Sequence, residues 1–120
     1  MARSQIPITD IARAGVAPPA QITSDATNKH YLDSQSGNVF LEVISSDGGS
    51  QTVVIEANPD LSNDGLTIGN LTLTIPAGAT RYFGPFRKLT FKQAADLDRM
   101  YVNPSVSTNL KFRAFRLVAT

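Results

Sequence analysis

The chain has 120 residues, 42% of them hydrophobic and 18% charged, with a formal net charge of +1, a single histidine and no cysteine. That is enough for one domain with one core, and it excludes disulfides, thiolate metal sites and any multi-histidine centre. No apolar run approaches the roughly 20 residues that cross a bilayer, and the start, Met1-Ala2-Arg3-Ser4-Gln5, leads into no hydrophobic signal core, so we expect a chain made in the cytoplasm or assembled from there.

Residues 1–30 are short of strong periodicity and rich in Ala, Pro, Thr and Ser. Ile6, Ile8 and Ile11 give a brief alternation, and Pro7 confines any strand there to an edge or an arm. Gly15-Val16-Ala17-Pro18-Pro19 reads as extended polyproline-like chain. A segment of this kind is either a solvated leader or an arm that gains order by lying across another molecule. The placed isoleucines favour the arm, with Ile6, Ile8, Ile11 and Val16 as its partner-binding residues. The expected division is therefore an extended N-terminal arm over 1–30 and a β-sandwich domain over 31–120. On that division, removing residues 2–20 should leave a folded domain.

Ser24 to Tyr31 is crowded with turn formers and reads as a polar loop, with His30 a surface or hydrogen-bonded residue rather than a ligand. Val39 to Ile44 is a strand with substantially apolar faces on both sides, hence central. Ser45-Ser46-Asp47-Gly48-Gly49-Ser50 reads as a hairpin loop, with Thr52 to Glu56 returning as the partner strand. Asp60, Ser62 and Asp64 before Gly65 have the spacing of a calcium loop. The twelfth position, where a bidentate Glu is required, is Leu71, so a surface turn is the expectation.

In Leu71 to Phe86, LTLTIPAGATRYFGPF, Leu71, Leu73 and Ile75 alternate with Thr72 and Thr74 as a half-buried strand. Pro76-Ala77-Gly78-Ala79 breaks the ladder in a turn, Arg81-Tyr82-Phe83 restarts it and Gly84-Pro85 stops it. Phe86 to Phe91 is expected to lead into a further short strand, Gln93 to Arg99 to form a loop or single turn, and Met100-Tyr101-Val102 a short strand. In the last strand, Leu110 to Val118, Phe115 and Leu117 fall on the opposite face from Leu110, Phe112 and Ala114. A β-bulge near Ala114-Phe115 would return them to the core.

Charge is distributed unevenly. Between Tyr31 and Thr80 lie six acids and no Lys or Arg, and between Arg81 and Thr120 eight bases against Asp96 and Asp98 alone. Either the acidic and basic strands neighbour each other in one sheet, or the two poles meet between copies and set register and partner choice. The second reading makes Arg81, Arg87, Lys88, Arg113 and Arg116 a partner-binding basic face. Aromatics interleave with these cations, as in nucleic-acid binders. Strands with a core face and a charged face spell the same pattern, and nucleic acid is not the expected partner. No activated nucleophile, phosphate-binding glycine loop or dinucleotide fingerprint is present, so neither an enzyme nor a cofactor is expected.

The sequence of short strands, the LTLTIPAGAT-R-x-F-GPF segment and the closing MYVNPSVSTNLKFRAFRL together resemble the small β-sandwich virion proteins of tailed bacteriophages over residues 37–118, and less closely over ATNKHYL at 26–32. The resemblance implies an all-β, antiparallel, jelly-roll-like sandwich. It implies a capsid decoration (cement) protein of the virion, assembled in the host cytoplasm as a homo-oligomer, with a trimer favoured, against the major capsid protein or other virion proteins. No membrane, catalytic residue, metal or cofactor is implied. A head-completion or tail structural protein is the alternative, and a carbohydrate-binding sandwich module a further one.

Overall fold

The computed structural model describes residues 3–33, 39–59, 62–63, 66–67, 69–86, 88–93 and 96–117. The alternating segments form the expected strands, and the chain is all-β apart from one helical turn. Two mixed sheets share a single core, an arrangement compatible with a β-sandwich. In chain order the strands are β1 Ser4–Gln5, β2 Ile8–Ile11, β3 Ile22–Thr23, β4 His30–Leu32, β5 Val39–Ser45, β6 Gln51–Ile55, β7 Ser62–Asn63, β8 Leu66–Thr67, β9 Leu71–Ile75 and β10 Thr80–Phe86. After the helical turn α1 (Lys88–Phe91) come β11 Lys92–Gln93, β12 Arg99–Pro104 and β13 Leu110–Leu117.

The first sheet runs β1-β4-β12-β6-β9, with β11 also on β12; the second runs β10-β5-β13-β2, with β3 also on β13. A small β7-β8 pair stands apart from both. The alternation is explained by the core. Leu41, Val43, Phe112 and Ala114 of the second sheet meet Val53, Ile55, Leu73, Ile75, Met100 and Val102 of the first, all of them buried. As expected, β5 is central, flanked by β10 and β13.

Several pairings differ from the sequence reading. Residues 46–50 are not a hairpin loop, since β5 and β6 lie in different sheets and the connection arches from one to the other. Residues 76–79 and 105–109 do the same, so three crossings stack at one end of the molecule. There the Asn109 amide donates to Asp47 Oδ2 at 2.8 Å, Asp47 Oδ1 accepts the Gly49 N–H at 2.9 Å, and the Ser45 N–H reaches the Ala79 carbonyl at 2.9 Å. Turn residues thus satisfy the backbone where it leaves a sheet, which is why a Gly/Ser/Asp-rich run suits an arch as well as a hairpin. The expected bulge at Ala114-Phe115 is absent. The β13–β5 register is continuous from Leu110↔Ser45 to Arg116↔Val39, and Phe115 sits opposite Phe40 on the outer face. Phe86–Phe91 leads into a short strand as expected, β11, by way of the helical turn Lys88–Phe91.

The largest difference is at the N-terminus. Residues 3–11 do not extend away as an arm. β1 pairs in parallel with β4, β2 pairs in parallel with β13, and Ile6 between them is fully buried in the common core. These parallel pairs make both sheets mixed rather than antiparallel. The geometry follows from Ile6-Pro7-Ile8. Pro7 lacks the N–H that an interior strand position would need, and the chain changes sheet there, with Ile6 filling the core and Ile8 packed against it. Residues 12–21 lie outside the strands and are largely exposed.

Two outcomes follow for stability. Ile6→Ala should cost about 3 kcal/mol, the usual range for emptying a buried aliphatic site, read as a lower urea midpoint; an unchanged midpoint would mean that the N-terminal segment is not part of the core. Gly84 has φ +130°, and a Cβ there would lie 2.8 Å from the Val39 carbonyl oxygen and 3.1 Å from the Phe40 Cα, both backbone atoms. Gly84→Ala should therefore destabilise by roughly 2 kcal/mol or more in the same assay.

Candidate functional site

The residues expected to form a partner-binding arm are placed very differently from one another. Ile6 is inaccessible and Ile8 half-buried against the core, whereas Ile11 is 38% and Val16 47% exposed. Arg3 fastens the start of this segment. Its guanidinium donates to the His30 carbonyl (3.1 Å), Asn103 Oδ1 (2.6 Å) and Glu56 Oε2 (2.9 Å), and stacks 3.7 Å from the Tyr101 ring centroid. The Tyr101 hydroxyl donates to Asp96 Oδ2 (2.6 Å), which raises the tyrosine pKa, and Asp96 Oδ1 accepts from Arg99 at 3.2 Å. Arg99 in turn lies 4.2 Å over Tyr31. A cation held over an aromatic face and satisfied by a carboxylate is strongly positioned, so this outer face of the first sheet is occupied by the chain's own N-terminus.

Two residues of the expected basic face, Arg113 and Arg116, are paired with acids inside the chain. Arg113 lies 3.4 Å from Glu42 across β13–β5, and Arg116 Nε lies 2.7 Å from Asp10 across β13–β2. Arg81 is exposed and donates to the Thr80 carbonyl at 3.0 Å. Arg87 and the Lys88 side chain lie outside the described residues, as do Asp60, Asp64 and Gly65 of the calcium-like spacing. At Glu42–Arg113 the acidic and basic stretches are cross-strand neighbours in one sheet, the first of the two readings of the charge asymmetry. Among the described residues no cluster of three or more His, Asp or Glu could hold a metal ion, and no helix is long and apolar enough to cross a membrane.

Among the described residues, two apolar surfaces remain uncovered. The first is the outer face of the β10-β5-β13-β2 sheet. Phe40 and Phe115 are cross-strand partners there, Ile11 flanks them from β2 and Tyr82, 67% exposed, from β10, around a groove of about 310 Å³. Its floor is polar. Glu42 is buried between Tyr82 and Arg113, and its carboxylate beside the Tyr82 hydroxyl raises the tyrosine pKa. Arg113, which pairs with Glu42, keeps a buried Nε without a hydrogen-bond partner. The second surface is the open side of the sandwich, where the edge strands β9 and β10 flank a groove of about 340 Å³ lined by Leu71, Leu73, Phe83, Pro85, Phe86 and Phe91.

Sequence reasoning missed the first surface because Phe115 was assigned to the core. The signal was present in Phe40, Phe115 and Tyr82, aromatic residues on the face opposite the core-facing ones. His30, expected at the surface or hydrogen-bonded, is hydrogen-bonded, and its burial is what the sequence reading did not anticipate. Its Nε2 accepts the Asp25 N–H at 2.9 Å, its ring packs edge-on against Phe112 at 5.2 Å, and Nδ1 faces the Ser4 backbone without a well-formed bond. Because Nε2 accepts the Asp25 N–H, the neutral ring carries its proton on Nδ1.

Comparison with protein-family models, with curated proteins and with solved structures yields no match.

Burial depresses the His30 pKa, with Arg3 adding in the same direction against the Ser4 backbone and Asp25. The unfolded chain therefore takes up the proton first, and stability present above about pH 6.5 is lost on acidification below it, by up to about 1.4 kcal/mol per pH unit until the folded-state pKa is passed. Thermal midpoints measured between pH 7.5 and 5 should fall in wild type and be flat in His30→Gln. The carboxylates whose pKa values are lowered, Asp10, Asp25 and Asp47, titrate below that window. An equal decline in both proteins would place the acid sensitivity elsewhere.

Proposed function

We propose that this chain is a structural subunit of a tailed-bacteriophage virion, a jelly-roll-like capsid decoration protein that acts as a homo-oligomer, with a trimer favoured, against the major capsid protein. The observation that supports it best is the pair of uncovered apolar surfaces on one small chain: the Ile11/Phe40/Tyr82/Phe115 face and the β9/β10 edge groove. A lattice subunit needs one surface for its own copies and another for the shell, and many such modest contacts give avidity that a single one lacks. Contiguous apolar area is rarely left bare on a monomer without a partner, and β9 and β10, edge strands among the described residues, invite strand addition.

The basic residues contribute less to this reading than the apolar ones, because Arg113 and Arg116 already have acidic partners within the chain. A head-completion or tail protein would use the same surfaces at another position and copy number. The carbohydrate-binding alternative rests on an aromatic platform. Tyr101 is covered by Arg3, leaving Tyr82 beside Glu42 as the exposed candidate.

The test is native mass of the purified protein followed by co-sedimentation with phage capsid shells. We expect a trimer and shell binding, with Tyr82→Asp or Phe115→Asp lowering occupancy at least tenfold while the circular-dichroism spectrum is kept. A monomer that leaves shells bare, or a Tyr82→Ala variant that loses only glycan-array signal, would contradict the proposal.

A further inference from the structure

We infer that residues 3–11 are an exchangeable segment, able to occupy in a second copy of this chain the same slot between β4 and β13 that they occupy in their own. The inference takes its biological setting from the structural-subunit reading above but not its physical basis. The interactions described for residues 3–11 are made with the part of the chain beyond residue 28. Arg3 binds His30, Asn103, Glu56 and Tyr101, the Ser4 and Ile6 N–H groups donate to the Lys29 and Tyr31 carbonyls, Asp10 binds Arg116, and β2 follows β13 from Ala114 to Leu117. The slot is thus built by the body, and the segment enters it as a peptide would: two short strands and one buried anchor, Ile6.

The connection back to the body is longer than its path. The segment leaves at Ile11 beside Leu117, and the chain returns at Ile22 beside Phe112 on the same strand. Five residues along a strand span about 17 Å, whereas the chain from Ile11 to Ile22 reaches about 36 Å when extended. The molecule is only 26 Å across its thin dimension, so the same connection spans a subunit packed face to face. Residues 12–21 are exposed and outside both sheets, with Pro18-Pro19 favouring an extended path.

Exchange replaces each intramolecular contact by its identical counterpart and changes only the tether. In dilute solution the tether holds the segment in its own slot, at an effective concentration on the order of millimolar. Exchange wins when neighbouring slots are that crowded, as in a ring or on a lattice. The partner is a second copy, and the outcome is a linked oligomer without a new interface design.

The absence of native cysteine makes the test direct. Asp10 and Arg116 touch at 2.7 Å, so Asp10→Cys and Arg116→Cys are prepared as separate single variants, mixed, refolded together at about millimolar chain and then oxidised. We expect the mixed disulfide to exceed either same-variant dimer several-fold, and to fall away when refolding is done at micromolar concentration. The double variant at micromolar concentration should give an internal disulfide instead. Mixed and same-variant dimers in random proportion, or monomers alone, would overturn the inference. The disulfide pattern uses neither shells nor native mass, so failure of exchange is separable from failure of the virion assignment.

Discussion

The burial of Ile6 is the constraint on which the rest of the architecture depends. A single side chain from the start of the sequence closes the core between two sheets, and the backbone on either side of it joins one sheet to the other. Everything near it serves that placement. Arg3, stacked on Tyr101 and bonded to Glu56 and Asn103, anchors one end; Asp10 on Arg116 anchors the other. His30 lies beneath β1, neutral and packed on Phe112, where a proton would cost both its bond from Asp25 and its burial. A chain of this length has little core to spare, so a fully buried isoleucine and two sheet edges covered by one segment form a large share of what holds it together.

The strands themselves were legible. Alternation at Leu71–Ile75, Val39–Ile44 and Leu110–Ala114 identifies which residues face inward, because the period of two is a property of the backbone. What alternation does not encode is the partner. Thr52–Ile55 follows β5 after a run of turn residues that suits a hairpin and an interlayer arch equally, and only the global packing of two sheets decides between them. The same limit explains Phe115. An apolar residue on the polar face was assigned to the core through a bulge, whereas the ladder runs on without one and the ring joins Phe40 outside.

The N-terminal segment was misread for a related reason. Ile6-Pro7-Ile8 carries too short a pattern to reveal a strand, and a proline between two isoleucines suggests an edge. It is an edge, but of the chain's own sheets. Ile6 and Ile8, expected to meet another molecule, pack into the chain's own core, while Ile11 stays exposed on the outer face. The candidate surface was partly legible in the charges. Glu42 amid apolar neighbours on a central strand requires a cation to accompany it into the sheet, and Arg113 is that cation. The aromatic rim around the pair follows from which strands are adjacent, and it leaves the body with an uncovered face suited to association.

The central claim is that residues 3–11 belong to the folded body of the protein. Native-state hydrogen exchange of the Ile6 amide, which donates to the Tyr31 carbonyl at 2.9 Å, tests it most directly. The account predicts protection comparable with amides at the centre of β5, lost only in global unfolding. Exchange of Ile6 at the rate of unstructured chain, with β5 still protected, would contradict it.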